Sequence, residues 1–348
     1  MDFQLSDDQR ALRSGMRDLL DAAFDRDRLR AAVDRGGALD RTLWRELGAA
    51  GFFALRLPEE AGGVGLGLPE AVLLFEEAGR ALLPGPLVAT HLAAGLVKGA
   101  AEGEAVVTAA DGQLPVAHLA EADAVLVGAE ALSGEALRDV VAAARPVRSM
   151  DPLTPLHRTA AAVTGAADAP TMTERTPTAT ERTPAYAGRL RYEAALLTAA
   201  EQLGSAARTT EAAVQHAGDR EQFGSPIGSF QAVKHLCADM LARTEPARAA
   251  VYAAAVTGDP VEIAAAKLLA DEAAVRNARD CLQIHGGMGF TWEADVHLHL
   301  KRAWLRSARW LTGAGAEELL AAGLGAARPL PGSSAAYGPG APEAGGGG

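Results

Sequence analysis

The residues whose types and spacing best suit chemistry are Gln283-Ile284-His285-Gly286-Gly287-Met288-Gly289-Phe290. Three glycines fall within four residues, directly after a long helical pattern. Such a backbone must turn tightly or let another group come very close. Two readings follow. The glycines end a helix as its C-cap, as many helices end. Alternatively, they form a backbone surface that contacts a phosphate-bearing ligand. A metal is not expected. His285 has no second ligand at helix-compatible spacing within the motif. His297 and His299 are two apart on a predicted helix and face different ways.

The elements that position this segment are legible. Asp259 is an N-cap, Pro260 stands at the first helical position and Glu262 at the third, and the helix runs on to Ile284. Residues 189–327 as a whole read as helical. Leu190, Ala194, Leu197, Glu201 and Gly204 share one side of a long helix that runs to about Ala217. Ser229 to Arg243 forms a second, with Pro246 expected to kink or break it. A fourth covers about Ala294 to Leu311. Short connections between long helices predict a four-helix bundle.

Residues 1–99 form an N-terminal helical domain. Ser6 and Gln9 make a capping box, Leu43, Trp44, Leu47 and Ala50 mark a helix, and further helices run from Pro69 to about Leu82 and from Leu87 to Lys98. Residues 100–164 change character. Ala105–Thr108, Leu114–Ala117 and Ala124–Val127 are short apolar runs cut by Gly, Asp and Pro, which predict a small β module. Val140 to Arg158 leaves room for two more strands. Residues 165–188 repeat Thr-Glu-Arg-Thr-Pro and read as a flexible linker, and 328–348 as a disordered tail. The fold class is therefore mainly α with a small β module.

Composition narrows the function. The 348 residues are 49% hydrophobic but only 5% aromatic, so Ala, Leu and Val must do the packing, as in close-packed helices. With 44 acidic against 33 basic residues the net charge is −11, and no basic block suits nucleic acid or an anionic membrane. The amphipathic start lacks the apolar core of a signal peptide, and no run of about 18 apolar residues spans a membrane. Cys237 and Cys281 read as buried thiols of a reduced, cytoplasmic protein.

Asp219-Arg220-Glu221-Gln222-Phe223-Gly224-Ser225-Pro226-Ile227-Gly228-Ser229-Phe230-Gln231, followed by the Gln283-to-Phe290 motif in a helical region, resembles the acyl-CoA dehydrogenase family. Met1 to Leu5 with Gln9 and Leu12-Arg13, and the loop Leu57-Pro58-Glu59-Glu60 with Gly62-Gly63, resemble that family's opening domain. The likeness covers 1–98 and 189–311 and fades between them. It implies a helical domain, a reduced middle β-domain and a helical bundle, with flavin adenine dinucleotide (FAD) at a subunit interface. By matched position, Arg220, Gln222 and Phe223 would meet the cofactor of a neighbouring subunit. Gln283, His285, Gly286 and Gly287 would approach its adenosine–pyrophosphate part. An arginine suits a pyrophosphate through bidentate hydrogen bonds. The reaction implied is α,β-dehydrogenation of an acyl-CoA or carrier-protein thioester, with an electron-transfer flavoprotein-type acceptor.

The sequence departs from the family at the catalytic base. The position that usually holds a Glu falls at Trp310, and the alternative on the first bundle helix falls at Ala194, beside Glu193. Glu201 and Glu211 lie too far along that helix. The family's flavin-contact loop and its ring-backing strand are missing from the β module, where Val116 to Asp123 stands instead. Three arrangements remain. The chain is the partner-dependent subunit of a hetero-oligomer whose second acyl-CoA dehydrogenase subunit supplies the base. Or it is a self-oligomer using Glu193 as its catalytic residue. Or it is a flavin-free helical scaffold, against which the retained Arg220 and Gly286-Gly287 speak.

Overall fold

A computed structural model describes residues 4–112, 114–159 and 184–326. The tail, and the predicted linker as far as residue 183, lie outside the described residues. The N-terminal layer holds α1 (Asp7–Ala23), α2 (Arg26–Asp34), α3 (Arg41–Ala49), α4 (Leu68–Arg80) and α5 (Leu87–Leu92). The Ser6–Gln9 capping box forms as predicted, and Asp25 and Asp40 cap the next two helices. Phe53 packs between Trp44 and Phe52, with ring centroids 4.7 and 5.3 Å away. Phe24 and Phe75 are buried with them, so aromatic side chains build the core of this layer. The helix predicted to reach Lys98 stops at Leu92, because Gly95 and Gly99 follow and Gly99 adopts φ +82°.

The β module holds β1 (Val107–Ala110), β2 (Val116–Ala117), β3 (Ala124–Val127), β4 (Glu130–Ser133), α6 (Gly134–Ala143), β5 (Arg145–Val147) and β6 (Leu156–Arg158). β3 pairs parallel to β1 and antiparallel to β4, while β6 pairs antiparallel to both β2 and β5. Alternation decides which side faces what. Ala124 and Leu126 join Val107 and Ala89 of α5, whereas Val125 joins Leu132 and Leu137 of α6. β4 and α6 were not foreseen.

The bundle holds α7 (Pro184–Asp219), a hairpin of β7 (Glu221–Gln222) and β8 (Ser225–Pro226), α8 (Gln231–Thr257), α9 (Pro260–His285), α10 (Val296–Ser307) and α11 (Gly313–Ala326). α7 begins five residues inside the predicted linker. α8 runs straight through Pro246, contrary to the expected break. Burial of Met240 and Thr244 before the proline, and of Ala247, Val251 and Ala254 after it, holds both halves on one packing face. α10 is shorter than predicted, and α11 adds a fifth helix against α9. The short links from α7 to α8 and from α8 to α9 reverse the chain twice, so α7 and α9 run in the same sense.

Two glycines lock this bundle to the N-terminal layer. A Cβ on Gly79 would sit 2.0 Å from the Glu201 carbonyl oxygen, and one on Gly204 would sit 1.8 Å from that of Glu76. α4 and α7 therefore cross with their backbones in contact, each supplying one glycine.

Candidate functional site

The parallel sense of α7 and α9 brings their carboxyl ends together, and with them the two predicted cofactor segments. The link is direct. The rings of His216 and His285 stack with centroids 4.1 Å apart and planes inclined by 15°. Arg220 follows His216 by one helical turn, and its N–H donates to the His216 carbonyl at 2.9 Å. Gly286 follows His285 directly. His285 Nδ1 donates to the Cys281 carbonyl at 2.8 Å, since a carbonyl can only accept.

Beyond α7 the chain turns at Phe223-Gly224, with φ +54° and +78°. Two positive-φ residues between paired strands make the tight turn that matches strand twist, a place where Asn-Gly is the usual choice. A phenylalanine there is strained. Its ring is 95% exposed, with only an edge contact to Phe230 at 6.1 Å. Arg220 is exposed beside it, and Gln222 Nε2 donates to the Glu221 carbonyl at 2.7 Å.

The α9 end behaves as both readings of its glycines require. Gly286 caps the helix at φ +60°, its N–H reaching the Gln283 and Leu282 carbonyls. Nothing lies within 4 Å of a Cβ built on Gly286 or Gly287, so the backbone there faces open space. Gln283 is exposed, and so are Met288 and Phe290. An exposed arginine, bare backbone and a projecting aromatic ring fit a ligand with a pyrophosphate and a flat ring system, approaching from outside the bundle. Arg220, Gln222, Phe223, Gln283, His285, Gly286 and Gly287 are the residues that would hold it.

Glu193 lies elsewhere. Its Oε2 accepts from Arg56 Nη1 at 2.7 Å, and Arg189 Nε stands 3.8 Å from Oε1. The carboxylate is largely buried against the N-terminal layer, and neighbouring Ala194 is fully buried. Trp310, at the position matched to the usual base, has φ +63°. Its N–H donates to Asp111, and its carbonyl accepts from Arg191 Nε at 2.6 Å. This loop is clamped from the β module on one side and α7 on the other. A cleft of about 360 Å³ opens beside it, walled by Leu92, Leu126 and Leu190, with Asp111 and Arg191 as its charged groups.

Deeper in, the three regions meet around buried ion pairs. Arg302 donates to Asp151 at 2.5 Å and Arg306 to Glu201 at 2.7 Å. Burial raises the Asp151 carboxyl, but Arg302 and hydrogen bonds from Thr154 and the Leu153 N–H outweigh it, leaving the group below its ordinary value. For Glu201 burial wins over Arg306 and the group is raised, while burial lowers Arg306 to about 10. The cavity that Glu201, Arg302 and Arg306 help line holds about 80 Å³, room for a few waters but not for an acyl chain. Among the described residues no group of three His, Cys, Asp or Glu could hold a metal, and no helix is long and apolar enough to cross a membrane.

His216, Arg191 and Asp111 were missed from sequence. His216 had a signal, standing one helical turn before Arg220. The Asp111–Trp310–Arg191 clamp had none, because its members are far apart in the chain.

Comparison with known proteins agrees with this architecture. Residues 6–102 match the family model for the acyl-CoA dehydrogenase N-terminal domain, and 186–326 the model for its C-terminal domain. Over 287 residues the chain is 37% identical to acyl-CoA dehydrogenase IpdE2 of Mycobacterium tuberculosis, covering 79% of this chain and 84% of that protein. IpdE2 of Mycolicibacterium smegmatis is 34% identical over 310 residues, covering 86% and 93%. A chain of the ChsE4–ChsE5 complex from Mycobacterium tuberculosis shares the fold with TM-score 0.77 at 23% identity, covering 94% of this chain and all of that one.

Proposed function

Because the chain belongs to the acyl-CoA dehydrogenase family, we propose that it is the subunit of a hetero-oligomer that completes an FAD site without supplying the catalytic base. The observation that carries this reading is a distance. Glu193 and His216 stand on one continuous helix, α7, on the order of 35 Å apart at 1.5 Å per residue. A dinucleotide whose pyrophosphate touches Arg220 and Gly287 cannot reach Glu193 of the same chain. The α7–α9 end therefore serves a cofactor whose ring lies in another subunit.

Two further observations favour an unlike partner over a second copy. The Glu193 carboxylate is already engaged, largely buried and accepting from Arg56 Nη1 at 2.7 Å. Trp310 fills the usual base position with its backbone clamped on both sides. Bound flavin supplies the hydride acceptor for α,β-dehydrogenation of an acyl thioester. This chain contributes Arg220 to the pyrophosphate, the Gly286-Gly287 backbone beside it and the Phe223 face, while the partner contributes the carboxylate. The ChsE4–ChsE5 complex is a relative in fold that is itself a complex. The substrate class is an acyl-CoA or carrier-protein thioester, an electron-transfer flavoprotein-type protein is the acceptor, and the setting is the cytoplasm.

The test is flavin content. Purified alone, the chain should be colourless. Co-expressed with a longer member of the family, it should co-purify with stoichiometric flavin and oxidise an acyl-CoA. A yellow, active chain alone whose Glu193→Gln variant is dead would establish the self-oligomer instead.

A further inference from the structure

Resting on the reading above, we propose that His216 is a further ligand-binding residue. It takes up one proton when a pyrophosphate-bearing ligand binds at the α7–α9 end, with His285 as its stacking partner.

The local field favours a second cation. α7 and α9 both present their carboxyl ends here, so unpaired carbonyls and the negative poles of two helices face the ligand. Asp219 and Glu221 add negative charge on either side of Arg220. A pyrophosphate diester is doubly charged, and among this chain's candidate contacts Arg220 is the permanent cation. A protonated imidazole one turn before Arg220 supplies the missing charge, at a helix end where a cation is itself favoured.

The two imidazoles divide the roles. His285 commits its Nδ1–H to the Cys281 carbonyl, which fixes its tautomer. The His216 ring has no hydrogen-bond partner among the described residues. At 4.1 Å separation a charge on one ring opposes a charge on the other. The groups acting on His216 are His285 of α9, Arg220 of the hairpin and Asp219 of α7. In the adjoining hydrophobic cluster burial raises the thiols Cys281 of α9 and Cys237 of α8 above their ordinary values. Burial, His285 and Arg220 keep His216 below its ordinary value when no ligand is present. The proton is therefore gained on binding, and the ligand's charge reverses the balance.

The experiment uses the complex with the longer partner, stripped of flavin and titrated with FAD, whose own groups do not titrate near neutrality. Flavin fluorescence should report affinity rising several-fold, up to about tenfold, per unit fall from about pH 8.5 to 6.5. Calorimetry in buffers of different ionisation enthalpy should find close to one proton taken up per flavin near pH 7. His216→Phe keeps a ring against His285, and in this variant the slope and the proton uptake should vanish. Wild-type binding without pH dependence or proton uptake overturns the inference and leaves the subunit reading intact. An unchanged slope in the variant does the same. No FAD uptake at any pH overturns both.

Discussion

Glu193 Oε2 lies 2.7 Å from Arg56 Nη1, and this pair ties the first bundle helix to the N-terminal layer. Replacement by Gln removes the charge but keeps the shape. In the complex, Glu193→Gln should leave turnover within about twofold and cost the chain roughly 1–3 kcal/mol, as loss of a largely buried charge-assisted hydrogen bond does. Denaturant unfolding of the chain and steady-state assay of the complex read the two effects separately.

The crossing of α4 and α7 should be the least forgiving part of the fold. A Cβ on Gly204 meets the Glu76 carbonyl oxygen at 1.8 Å, and backbone cannot step aside as a side chain can. Gly204→Ala should destabilise by about 3 kcal/mol or prevent folding. Gly218, on the same helix with nothing within 4 Å, is the control. Gly218→Ala should be neutral or stabilise by up to about 1 kcal/mol. Urea midpoints decide both.

Acid should unfold the chain early. Burial lowers His299 to about 3 and His91 to about 4. Each is ordinary near 6.5 in the unfolded chain, so between 6.5 and those values the unfolded state binds more protons. Stability therefore rises with pH across that window and is lost as pH falls through it, by up to about 1.4 kcal/mol per unit for each histidine. His299→Gln should flatten the dependence between about pH 6 and 4. An unchanged slope would locate the acid sensitivity in other groups.

Phe223 should trade stability for binding. It holds a left-handed turn position at φ +54° that Asn adopts more readily. Phe223→Asn should stabilise the isolated chain by up to about 1 kcal/mol yet lower flavin retention by the complex. Thermal unfolding and flavin absorbance after dialysis check the two signs.

How much could be read beforehand depended on whether the cause was local. Asp259, Pro260 and Gly286 delimited α9 correctly because caps act within a turn, and Arg220 and Gly286-Gly287 stood out because their types are unusual for packing. Pro246 misled because tertiary burial on both sides outweighed one lost hydrogen bond. β4 and α6 escaped notice because both are short and α6 follows β4 directly. The pairs Arg302–Asp151 and Arg306–Glu201, and the clamp on Trp310, join residues distant in the chain, which no spacing rule reaches.

The central claim is that this chain supplies the pyrophosphate side of a flavin site completed by another subunit. The most direct measurement is flavin affinity of the complex carrying Arg220→Ala in this chain. Loss of charge-assisted hydrogen bonds to the ligand should weaken FAD binding by about 10- to 100-fold while the complex stays assembled by size-exclusion chromatography. Unchanged flavin affinity in an intact complex would contradict the account.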